Sequence, residues 1–123
     1  MATSSDFEAI FARLRSILAP HSVRLSVKAD APDHYCLEIP LSPKVNKGFP
    51  VGWVKIGRGY VSYHFMPVYM FPELRASISQ KLRARMQGKS CFNFKVVDED
   101  LFKELEQVTE KGFAIAKDAG YEP

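Results

Sequence analysis

Cysteine, metal-ligand motifs and long apolar runs are scarce in this chain. Its 123 residues contain two cysteines, Cys36 and Cys91, which form no CxxC pair and show no zinc-site spacing with histidine. His21, His34 and His64 form no HxxxH pattern. We therefore expect reduced thiols and predict no disulfide framework, no metal site and no cofactor.

Membrane-directing segments are also missing from the sequence. No stretch of about 18 consecutive apolar residues occurs, as a spanning helix would need. The first residues, "MATSSDFEAIF", lack a basic region followed by an apolar run. We expect a cytoplasmic protein without a membrane partner.

Nucleotide and nucleic-acid motifs are absent as well. "GKS" at residues 88–90 resembles the end of a phosphate-binding loop, but Arg83 stands where that loop requires glycine. Arg83, Arg85 and Lys89 form a small basic cluster without an aromatic stacking platform beside it. We predict no nucleic-acid partner.

The overall amino-acid composition predicts a single domain covering residues 1–123. Hydrophobic residues make up 46% and charged residues 25%, an average globular content. The net charge of +3 is unevenly distributed, because residues 73–95 carry a net +5 and residues 98–122 a net −5. Complementary solvated faces explain this pattern most simply.

The periodicity of apolar residues predicts an α+β fold. Residues 7–18 have helical spacing behind a capping box at Ser5 and Glu8, and Leu101 to Ala119 form a second apolar stripe behind a cap at Asp98. Between them, alternating segments predict hairpins over 23–39 and 51–66, separated by a loop over 40–50.

Two short helices and a last strand complete the predicted order. Pro72 opens the first helix, Ser79 caps the second and Gly88 closes it, before a strand at "CFNFKV". The expected architecture is an antiparallel sheet of about five strands with N- and C-terminal helices packed on it.

The segment "YVSYHFMPVYM", residues 60–70, is the strongest candidate for a functional surface. On a strand, Val61, Tyr63 and Phe65 form the better core face, whereas the opposite set mixes hydroxyls, an imidazole and a thioether. Either Trp53 or Val54 joins this set, depending on register. Aromatic packing in the sheet is the alternative explanation.

The pocket hypothesis predicts a mainly apolar small-molecule site in a non-enzymatic binding domain. Arg85 or Lys89 would balance a carboxylate on the ligand. The predicted ligand-binding residues are Tyr60, Ser62, His64, Met66, Tyr69, Arg85, Lys89 and Asn93. His64 and Cys91 are a conceivable base and nucleophile, but no orienting acid or cysteine-hydrolase signature accompanies them, so we predict no enzyme activity.

Three quoted segments together are similar to a known family. "FEAIFARLRSIL", "YVSYHFMPVY" and "QGKSCFNFKVVDEDLFKEL" resemble the YdhG-like family of small bacterial domains of unknown function, from Phe7 to about Ala116. The family's last strand ends in an Arg-Phe-Pro run, where this chain has "FNFKV". The resemblance implies an α+β fold and no established enzyme activity.

The same resemblance supplies an alternative function. Some relatives are regarded as frataxin-like iron chaperones, which use carboxylates to hold iron. In this chain the matching chemistry would come from acids at the start of the C-terminal helix: Asp98, Glu99, Asp100 and Glu104. No family ligand motif can be transferred residue by residue.

Overall fold

The computed structural model describes residues 4–40 and 48–121. The strands in these ranges are β1 (Ser26–Ala31), β2 (His34–Ile39), β3 (Phe49–Ile56), β4 (Val61–Phe65), β5 (Met86–Gln87) and β6 (Cys91–Phe94). The helices are α1 (Ser4–Leu18), α2 (Met66–Met70), α3 (Pro72–Ala76), α4 (Gln80–Arg83) and α5 (Glu99–Asp118), with a 3₁₀ helix at Ala19–Arg24.

The strands form one antiparallel sheet in the order β1-β2-β3-β4-β6-β5. This arrangement, with a helix at each end of the chain, confirms the predicted α+β class. The described part of the chain contributes six strands to the sheet, where about five were predicted. The short strand is β5, whose two residues are too few for any periodicity to predict.

Helices α1 and α5 cover one face of the sheet, because the apolar stripes of these helices meet the buried side chains of the strands. Gly52 of β3 lies against Leu18 of α1. The ring of Phe94 in β6 packs edge-on against Phe102 of α5, with centroids 5.0 Å apart. We call this side the core face.

Two of the predicted helix caps are made by side-chain hydrogen bonds in the structure. Asp98 Oδ1 accepts a hydrogen bond from the Leu101 amide at the start of α5, at 3.3 Å. Ser79 Oγ accepts one from the Leu82 amide at the start of α4, at 3.2 Å. Both predicted caps are therefore confirmed.

The predicted strand over residues 23–28 is wrong at its start. The chain forms a 3₁₀ helix up to Arg24, and β1 begins only at Ser26. Val23 is 88% exposed, so the alternation from Val23 to Val27 did not mark a buried face. Pro20 explains the difference, because it ends α1 and its fixed φ suits the first turn of another helix.

Other predicted boundaries shift by a few residues. Strand β4 ends at Phe65, and Met66 begins α2 instead of ending the strand. Helix α4 ends at Arg83, so Gly88 does not close it; Gly88 lies in the turn between β5 and β6 with φ of +80°. The side chain of Ser5 and most of the predicted loop over 40–50 lie outside the described residues.

Candidate ligand-binding site

The sheet face opposite the core face carries both cysteines and His64, and we call it the outer face. In β4 the predicted division holds: Val61, Tyr63 and Phe65 are fully buried, while Ser62 and His64 are half-buried on the other side. Directly paired residues of an antiparallel sheet share a face. Strand pairing therefore decides which other residues join Ser62 and His64.

One row across the outer face contains Cys36, Trp53, His64 and Cys91, each paired directly with the next. This register settles the position of Trp53, which the sequence left open. The Trp53 and His64 rings stack with centroids 4.3 Å apart and planes 14° from parallel. The indole therefore covers one side of the imidazole, and burial lowers the pKa of His64 below its ordinary value.

The lowered pKa of His64 predicts a loss of stability in mild acid. Below the ordinary histidine pKa of about 6.5, the unfolded chain binds a proton that the buried imidazole resists. The free energy of unfolding should therefore fall as pH decreases from about 7 to about 5, and fall less in His64→Gln. Urea denaturation of both proteins at the two pH values measures this, and equal decreases would contradict the prediction.

His64 and Cys91 are cross-strand neighbours, so the fold does bring the candidate base and nucleophile together. The thiol, however, donates its hydrogen bond to Asn93 Oδ1 at 3.2 Å. Burial raises the pKa of Cys91, and burial also raises the pKa of Cys36. A raised pKa disfavours the nucleophilic thiolate, so this geometry does not activate Cys91.

The next row of the outer face holds a hydrogen-bonded polar network. Asn93 Oδ1 accepts from Ser62 Oγ at 3.0 Å, and Asn93 Nδ2 donates to Gln87 Oε1 at 2.8 Å. The backbone amide of Asn93 in β6 also donates a hydrogen bond to the carbonyl of Arg85, at 2.8 Å. This bond connects the residue just before β5 to β6. These contacts fix Asn93 and leave Gln87 Nε2 with no protein partner among the described residues.

A cavity of about 500 Å³ opens at this network. Arg85 and Lys95 contribute cations to its wall, and Tyr60 contributes a half-buried phenol. Neither cation forms an ion pair with the described residues. The full lining is Tyr60, Ala84, Arg85, Met86, Gln87, Asn93 and Lys95.

The cavity includes Tyr60, Arg85 and Asn93 of the eight predicted ligand-binding residues, and Ser62 supports it through Asn93. His64 stacks on Trp53, Met66 and Tyr69 lie in α2, and Lys89 lines a neighbouring groove. The lining is mostly polar, where the sequence predicted a mainly apolar pocket. Continuing the strand alternation from Asn93 places Lys95 on the same face, so the sequence contained a signal for this lining residue. No sequence signal pointed to Gln87.

The acidic residues proposed for iron are mostly engaged with protein groups. Glu99 pairs with Arg13 at 2.7 Å. Glu104 accepts hydrogen bonds from the Ser79 amide at 2.8 Å and its hydroxyl at 2.6 Å. Asp98 caps α5. Within residues 4–40 and 48–121, no group of three or more potential metal-ligating side chains comes together.

Comparisons with known proteins add no assignment. No family model, curated protein or solved structure matches this chain significantly. The resemblance to the YdhG-like family therefore stays a prediction. Among the described residues, no helix is both long and apolar enough to cross a membrane.

Proposed function

We propose that this protein is a non-enzymatic binding domain for a small organic anion, held in the cavity beside β5 and β6. The observation that carries the proposal is the pair of cations, Arg85 and Lys95, which share a concave wall without a carboxylate partner in the described chain. A carboxylate or phosphate group would satisfy both of them.

The cavity also offers groups that orient a ligand. The Gln87 side-chain oxygen accepts a hydrogen bond from Asn93, which fixes the orientation of the amide. The Nε2 group of Gln87 is therefore left to donate a hydrogen bond to a ligand. Tyr60 presents an aromatic ring with a hydroxyl at its tip. A volume of about 500 Å³ lies within the range of sites for small ligands. The favoured ligand is an anion attached to a small organic body.

Free cysteines are usual in reducing compartments, and we place the proposed function in the cytosol. Cys36 and Cys91 are both free and buried, and two strands separate them in the sheet. Three strand spacings correspond to about 14 Å, beyond the reach of a disulfide. Their raised pKa values also fit the proposed absence of thiol catalysis.

Phenylphosphonate, titrated into ¹⁵N-labelled protein, tests the proposal. We expect shifts of the backbone amide signals of residues 85–87 and 93–95, and binding about tenfold weaker in Lys95→Gln because one charge-assisted hydrogen bond is lost. Phenol is the uncharged comparison and should bind more weakly than phenylphosphonate.

Lys117→Gln is the matched control variant, because Lys117 is an exposed lysine of α5, the helix that covers the core face, whereas the cavity opens at the network on the outer face. It removes the same charge and should leave the affinity for phenylphosphonate unchanged. Binding that is absent in the wild type, or equally weakened in both variants, would overturn the proposal.

A further inference from the structure

A second groove adjoins the cavity and, like it, has cations in its wall. Its volume is about 310 Å³, and it is lined by Pro72, Arg75, Ala76, Arg83, Met86, Gly88 and Lys89. Met86 contributes to the lining of both concavities, so the two are adjacent. The strong positive charge of residues 73–95, seen in the sequence, is therefore concentrated around β5.

The guanidinium groups of this groove are held in place by backbone carbonyls. Arg75 Nη1 donates to the carbonyls of Val68 and Tyr69, both at 3.2 Å. Arg83 Nη2 donates to the carbonyl of Arg75 at 3.0 Å. Carbonyls do not neutralise these cations, and the remaining guanidinium N–H groups can still donate.

Lys89 adds the third cation of the second groove. It follows Gly88, whose φ of +80° lies in the left-handed region that glycine adopts at little cost. Like Arg75 and Arg83, Lys89 forms no ion pair with any residue in the described ranges. The two concavities therefore present five cations without carboxylate partners: Arg75, Arg83, Arg85, Lys89 and Lys95.

We infer that the ligand carries two anionic groups joined by a short neutral body, one in the cavity with Arg85 and Lys95 and the other in the second groove. This inference rests on the proposed function and specifies its ligand class. A ligand with a single carboxylate would contact only one of the two sets of cations. Met86 of the edge strand β5 lines both concavities, so the neutral body would pass from one to the other at this strand.

A series of α,ω-alkane bisphosphonates from propane to decane can measure the spacing of the two sites. Each compound is compared with the alkyl monophosphonate of equal length by NMR titration. We expect affinity to peak at one chain length, where the bisphosphonate binds about tenfold or more tightly than its monophosphonate, because the second contact becomes intramolecular.

Substitutions of single lysines test whether the affinity maximum of the bisphosphonates depends on both sets of cations. Lys89→Gln should abolish the advantage of the bisphosphonate and leave monophosphonate binding in the cavity unchanged. Lys95→Gln should weaken both classes of compound, whereas Lys117→Gln should change neither.

The outcomes separate this inference from the proposed function. Monophosphonate binding that depends on Lys95, without any advantage of the bisphosphonates, would overturn the two-site inference and leave the proposed function standing. The same conclusion follows if Lys89→Gln preserves the peak. If neither class binds the wild type, both proposals fail.

Discussion

Gly112→Ala is expected to lower the free energy of unfolding by about 1–2 kcal/mol, although alanine is the better helix former. A Cβ atom at this position would lie 2.8 Å from Phe65 Cζ and 3.0 Å from Leu74 Cδ2. Phe65 cannot easily move, because it is fully buried and packs edge-on against Phe113 with ring centroids 5.2 Å apart. Urea denaturation followed by circular dichroism measures the change.

Two further variants separate crowding from helix propensity. Ala114→Gly, at an exposed position of the same helix, reports propensity alone and should cost about 1 kcal/mol. If crowding by Phe65 is the cause, Gly112→Ala should be less damaging in a Phe65→Leu background. A Gly112→Ala protein more stable than the wild type would show that α5 can move away from the sheet without cost.

Tyr63→Phe is expected to destabilise the protein by about 1–3 kcal/mol, because it leaves a buried hydroxyl without its partner. The Tyr63 hydroxyl and Thr109 Oγ1 lie 2.6 Å apart, and both residues are fully buried between β4 and α5. Burial also raises the pKa of Tyr63 well above its ordinary value, so the phenol keeps its proton even in mildly alkaline solution.

A double-mutant cycle with Thr109→Val tests whether the pair acts as a unit. Each single variant leaves one buried polar group unpaired, whereas the double variant leaves neither. The double variant should therefore lose less stability than the two single variants together, with a coupling energy of about 0.5–3 kcal/mol. Strict additivity would mean that water or another protein group replaces the missing partner.

Much of the fold follows from local patterns. The stripe in α5 from Leu101 to Gly112, the alternation in β4 and the caps at Asp98 and Ser79 depend on neighbours within a few residues, and each was predicted correctly. The start of β1 was not, because alternation of Val23, Leu25 and Val27 is equally compatible with an exposed 3₁₀ turn after Pro20. Periodicity predicts a buried face only where tertiary contacts cover it.

The candidate site shows the same division between local and long-range information. Tyr60 was selected by strand alternation and Arg85 and Asn93 by residue type, and the structure places all three around one cavity. Lys95 and Gln87 complete its wall only because β5 pairs with β6 beside β4. A strand of two residues carries no detectable period, so its pairing cannot be inferred from the sequence.

The amino-acid sequence by itself determined the α+β class, the main helices and strands, and the concentration of positive charge in residues 73–95. Only the tertiary structure decided that Trp53 stacks on His64, that the Cys91 thiol donates to Asn93, and that five cations surround two adjoining concavities. The physical reason is that secondary structure follows from side-chain periodicity along the chain, whereas strand register and order bring together residues distant in sequence.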